Sequence, residues 1–78
     1  MPISRIKMIK SKNQYEATTA SGDTDVPITT VSDINKSSIN VIGGWGTTPM
    51  TFKFIDTSTV RITDATVRNV TFEVIEYY

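Results

Sequence analysis

The side chains able to do chemistry in this chain are almost all oxygen-bearing: eight Asp and Glu residues, many Ser and Thr, and no His or Cys. Ser-His-Asp and Cys-His nucleophiles therefore cannot be built. The usual zinc and transition-metal ligand sets are also excluded, as are disulfides. Carboxylate-pair catalysis needs two acids converging on a cleft. Here Asp23, Asp25, Asp33, Asp56 and Asp64 fall in or beside predicted turns, where Asp is favoured because it bonds its own backbone. Asp23 and Asp25 alternate as in some calcium loops, but Ca²⁺ takes about six to eight oxygens. The rest of such a loop, with its terminal Glu, is missing, so a turn is the better reading. No catalytic residue, metal or cofactor is expected, and the chain does not read as an enzyme.

Gly43-Gly44-Trp45-Gly46 invites comparison with phosphate-cradling loops. It lacks the Lys-Ser/Thr pair of a P-loop and precedes no predicted helix. Two readings stay open. The glycines can supply positive φ at a bulge while Trp45 packs in the core. Alternatively Trp45 is exposed and stacks on a sugar or fills a partner's pocket, making it a ligand or interface residue.

Eight basic and eight acidic groups leave no net charge, which argues against general nucleic-acid binding. The charges are segregated, however. Arg5, Lys7, Lys10 and Lys12 precede the first acid, Glu16, whereas Glu73 and Glu76 mark the last predicted strand. The basic leading strand is either a solvated face or a contact for an acidic partner. No apolar run is long enough for a signal-peptide core or a membrane span, so no membrane partner is expected. The sequons at Asn35 and Asn69 then read as accidental.

The elements that must carry these residues are strands. Val, Ile and Thr make up 30 of the 78 residues and Leu does not occur, a composition suited to a pleated surface and poor for helices. Strands are predicted over 3–10 and 14–18. After a turn at Ser21-Gly22-Asp23, Val26, Ile28 and Thr30 alternate. Pro27 puts that strand at an edge or beside a bulge. The polar stretch 32–36 is a loop. Ile39, Val41 and Gly43 share one strand face, Phe52 and Phe54 another, and Val60 and Ile62 a third. Turns are expected at Asp56-Thr57-Ser58 and Asp64-Ala65.

The last strand, 70–77, directs Val70, Phe72 and Val74 to one side and Ile75 and Tyr77 to the other. A half-buried strand should be polar on its second face. Tyr77 is expected to pack, and Tyr78 either frays or contacts a neighbour. Phe72, Ile75, Tyr77 and Tyr78 are thus candidate subunit-interface residues. The prediction is one all-β domain over residues 1–78, a small antiparallel β-sandwich or barrel of about seven short strands.

Size argues for association. Scaling for a chain of this length gives roughly 7,900 Å² buried on folding. That is worth on the order of 115 kcal/mol if about 60% of it is apolar. Ordering costs about 1.5 kcal/mol per residue, and the two cancel. With no disulfide or metal available, a homo-oligomer is expected.

The order of features also resembles a known group. Val31-Ser32-Asp33-Ile34-Asn35-Lys36-Ser37 leads into a strand, followed by a Gly/Thr-rich loop and a short aromatic strand. Then come Thr57-Ser58-Thr59-Val60-Arg61-Ile62-Thr63 and a closing Val70-Thr71-Phe72-Glu73-Val74-Ile75-Glu76-Tyr77. This resembles small β domains of bacteriophage tail fibres and head-decoration (cement) proteins. There a V-D-x-x-K-S turn, an S-T-x-x-x-I-T strand and a V-x-W/F-x-V-I-E-Y strand follow one another. The match spans about residues 26–78. Ser32 is inserted in the first motif, Ile62 comes one residue early, and Phe72 stands where Trp is frequent.

The resemblance implies a virion location on a capsid or tail surface, after synthesis in the bacterial cytoplasm. It also implies trimeric assembly, with the major capsid protein or another virion protein as partner. The function it implies is capsid decoration and stabilisation. A receptor-binding glycan knob of a tail or head fibre, and a small non-virion accessory or inhibitor protein, are the alternatives.

Overall fold

The computed structural model describes residues 8–44 and 49–78. The described residues form six strands: β1 (Ile9–Thr18), β2 (Gly22–Pro27), β3 (Ser37–Gly43), β4 (Met50–Asp56), β5 (Thr59–Asp64) and β6 (Asn69–Tyr77). A single 3₁₀ turn, Ile34–Lys36, precedes β3. The strands make two three-stranded sheets, ordered β1-β6-β3 and β2-β5-β4. All four pairings are antiparallel. The fold is therefore an all-β sandwich.

The two central strands supply the heart of the core. Val60 and Ile62 of β5 and Val70, Phe72 and Val74 of β6 are buried, and Val26, Ile28 and Val31 complete the cluster. Alternation places these residues on facing surfaces. Phe72 is fully buried and lies 5.5 Å, ring centre to ring centre, from both Tyr15 on its own sheet and Phe52 on the other. Tilted and edge-on pairs at this spacing are favourable, so Phe72 ties one sheet to the other.

Local chemistry fixes the joints. Asp56 Oδ1 accepts from Ser58 N at 2.8 Å and closes the β4–β5 hairpin. Asp33 Oδ1 accepts from Asn35 N at 2.9 Å and caps the 3₁₀ turn. Pro27 lies on β2, an outer strand, where a missing donor does least harm. Gly44 adopts φ +96°, and an added Cβ would meet Asn69 O at 2.5 Å. Only glycine fits that close approach of two backbones.

Three expectations need correction. The predicted break between residues 10 and 14 does not exist, because Ser11, Lys12 and Asn13 continue the ladder against Glu76, Ile75 and Val74. A bulge at Lys10 is the only irregularity in that ladder. Asp23 and Asp25 lie within β2 rather than in a turn, sharing its outward face. Phe72 cannot be an interface residue, because it has no exposed surface.

Candidate functional site

The ion-pairing pattern explains the segregated charges. β1 runs antiparallel to β6, so its lysines come beside the glutamates of the closing strand. Lys12 Nζ lies 3.7 Å from Glu73 Oε2, and Lys10 Nζ lies 4.0 Å from Glu76 Oε2. Lys10 also donates to Ser32 Oγ at 2.8 Å. Both lysines keep substantial exposure, so an acidic partner can still reach them. The other two basic candidates, Arg5 and Lys7, lie outside the described residues, as does Trp45.

Glu76 is the most constrained carboxylate on this side. It is buried, yet it accepts hydrogen bonds from Ser32 N at 3.0 Å and Asp33 N at 3.1 Å. These amides belong to the connection that crosses from β2 to β3. Tyr15 holds the same connection, its hydroxyl accepting from Thr29 N at 2.8 Å. Val31 N donates to Thr57 O in the turn between β4 and β5. Glu76 thus joins the closing strand to the Val31–Ser37 turn by charge-assisted bonds, which are stronger than neutral ones.

A second buried cluster sits at another junction. Asp64 is buried, with Arg68 Nε 2.7 Å from its Oδ2 and Nη2 donating to its Oδ1 at 2.9 Å. Thr19 Oγ1 reaches Asp64 Oδ2 at 3.0 Å and accepts from Arg68 N at 3.1 Å. Arg68 Nη1 donates to Gly44 O at 3.3 Å. Burial pushes the Asp64 carboxyl up, but the bonds from Thr66 N, Arg68 and Thr19 together outweigh it and hold it below the ordinary 3.8. Every oxygen here serves the junction of three chain segments, which suits a structural lock. The sequence signal that could have found it was an acid and an Arg four residues apart across a turn. Thr19 carries no such signal.

The outward face of β2-β5-β4 is polar. Arg61 donates to both Asp25 oxygens, at 2.8 and 3.1 Å, and Thr63 donates to Asp23 Oδ1 at 2.7 Å. The Arg61 hydrogen bond holds the Asp25 carboxyl below the usual carboxylate range. The alternate spacing of these acids serves cross-strand pairing. Among the described residues no group of three or more acids could hold a metal ion. The surface clefts, one along 16–18 and 69–71 and one around Gly22, Thr51 and Thr63, are open to solvent.

The remaining candidates gather at one corner. Ile9 pairs with Tyr77, and Tyr78 N donates to Met8 O at 3.1 Å. Met8, Ile9 and Tyr78 are 71%, 50% and 72% exposed, beside half-buried Tyr77 and Ile75. These apolar residues share one end of the β1–β6 ladder, with Tyr77 and Tyr78 directed by strand alternation to opposite sides. Comparison of the chain with protein-family models, curated proteins and solved structures finds no match.

Proposed function

We propose that the chain is a structural protein of a bacteriophage particle, a homo-oligomer that decorates and stabilises the capsid without catalysing a reaction. The observation that carries this reading is the Glu76 clamp. The turn motif and the closing-strand motif of the resemblance are commonplace separately. Here Glu76 of the closing strand accepts from Ser32 N and Asp33 N of the turn, so the two motifs form one physical unit. The third, Thr57–Thr63, supplies most of the other central strand, β5. The ordered motifs are thus what a sandwich of this connectivity needs to close.

In this reading the copies associate through the Met8, Ile9, Tyr77 and Tyr78 corner with Ile75, where exposed apolar groups gather. Phe72 contributes from below as the core on which β6 rests. Lys10 and Lys12 border that corner and supply charge towards an acidic capsid surface. A ligand that binds only the assembled shell stabilises it by mass action. Mass spectrometry of purified particles is expected to find the chain at stoichiometric copy number, and particles lacking it are expected to lose heat or osmotic resistance. Absence from particles refutes the virion role, and unchanged resistance refutes cementing.

A further inference from the structure

The four outer strands of the sandwich are unequally protected. An outer strand leaves a row of backbone N–H and C=O groups unpaired, and proteins blunt such edges with charges, Pro or bulges. β1 carries Lys10, Lys12 and Glu16 together with its bulge. β2 carries Asp23, Asp25 and Pro27. β4 carries Lys53 and Asp56, with a bulge between Phe54 and Asp56. β3, reading Ser-Ser-Ile-Asn-Val-Ile-Gly, has a bulge at one end, between Val41 and Gly43, as β1 and β4 do, but differs from all three other outer strands in carrying neither charge nor Pro. β6 is its sole strand neighbour among the described residues. Among the described residues, no backbone hydrogen bond outside that ladder engages 38–43.

We propose that β3 is a strand-pairing edge whose occupant is β3 of a second copy, antiparallel across a two-fold axis within Ser38–Asn40. The identity of the occupant rests on the homo-oligomer proposed above, to which this edge adds a second contact besides the Met8, Ile9, Tyr77 and Tyr78 corner. Among identical chains with three guarded edges, the unguarded edge meets an unguarded edge only by pairing with itself. An antiparallel two-fold contact permits that. The side chains agree. On the outward face, an axis at Ile39 sets Ser38 against Asn40, an axis at Asn40 sets Ser38 against Ile42, and an axis at Ser38 sets Asn40 against Lys36, so no like charges are directly opposed in any of the three. On the inward face Ile39 and Val41, both half-buried, continue an apolar row across the axis. Copy number is then even: a dimer, or a hexamer if a three-fold axis also operates.

The absence of Cys makes the test clean. Ser38→Cys alone, Asn40→Cys alone and the two mixed cover the three registers, since directly opposed residues have Cα atoms about 4.5–5.5 Å apart, within disulfide reach. One of the three is expected to cross-link under mild oxidation, and Lys53→Cys on β4 is not. Asn40→Lys, whose charge is balanced by Glu73 within its own copy, is expected to raise the dissociation constant about tenfold with the β circular dichroism retained.

Light scattering is expected to give an even copy number. A monomer, a free trimer, an oligomer that cross-links in none of the three, or one indifferent to Asn40→Lys overturns the proposal. Cross-linking by a chain absent from particles would refute the virion role and leave the edge standing. A virion chain that never cross-links does the reverse.

Discussion

Removing the Glu76 carboxylate is expected to loosen the crossover between the sheets. Glu76 is 3% exposed and accepts from two backbone amides of that crossover. A hydrogen bond to a charged group contributes about 1.5–3 kcal/mol, whereas an ordinary one contributes about 1. Ser32 is exposed, so water can replace part of what its amide loses. We therefore take the lower end for each bond and expect Glu76→Ala to cost about 2–3 kcal/mol. Glu76→Gln keeps an accepting carbonyl but no charge, and should cost roughly half as much. The Lys10 partner adds little, because exposed pairs contribute at most about 1 kcal/mol.

Urea unfolding at fixed chain concentration gives the stability difference. Amide exchange at Ser32 and Asp33 gives its location, because both protections should fall before global unfolding. Glu16→Ala, on an exposed outward site, is the control and should stay within about 0.5 kcal/mol of the parent. If Glu76→Ala stays equally close and the two amides keep their protection, the clamp does not hold the crossover and the link between the two motifs is lost.

Phe72→Ala should cost about 3–5 kcal/mol in the same assay, enough to unfold much of the population at room temperature. Gly44→Ala drives a Cβ into Asn69 O from a backbone conformation that side chains rarely adopt, and should lower stability by about 2 kcal/mol or more. Asp64 has a lowered folded-state pKa, so its stabilisation is present above the unfolded value and fades as pH falls through the folded one. The stability difference between the parent and Asp64→Asn should therefore be constant at neutral pH and shrink from about pH 4 downwards. A difference that grows on acidification contradicts the assignment.

Much of the fold was legible because burial imposes a period of two. Val60 and Ile62, Phe52 and Phe54, and Val70, Phe72 and Val74 each marked an inward face that the structure confirms. Pro27 announced an outer strand, and Asp33, Asp56 and Asp64 announced turns they do cap. Legibility failed where no burial period exists. Asn13 shares the face of Tyr15 yet is exposed, so Ser11-Lys12-Asn13 is polar on both sides and reads as a break. Asp23 and Asp25 looked like turn residues because their partners, Thr63 and Arg61, are distant in the chain. The Thr19–Asp64–Arg68 lock was hidden for the same reason: Thr19 is 45 residues from its acid. The corner group was half visible, since Tyr77, Tyr78 and Ile75 stood out while Met8 and Ile9 gained meaning only from their pairing.

One consequence concerns the order in which this chain can acquire its structure. Only β4 and β5 are joined as a hairpin within one sheet, and every other link passes between sheets. β6 is the middle strand of its sheet, so β1 and β3 have no ladder to join until residues 69–77 are available. Folding must therefore await the most distant partners, and topologies dominated by such encounters are slow, on the order of milliseconds to seconds. During that interval the unguarded β3 is offered to any neighbouring chain, so synthesis rate and local concentration decide between ordered assembly and clumping.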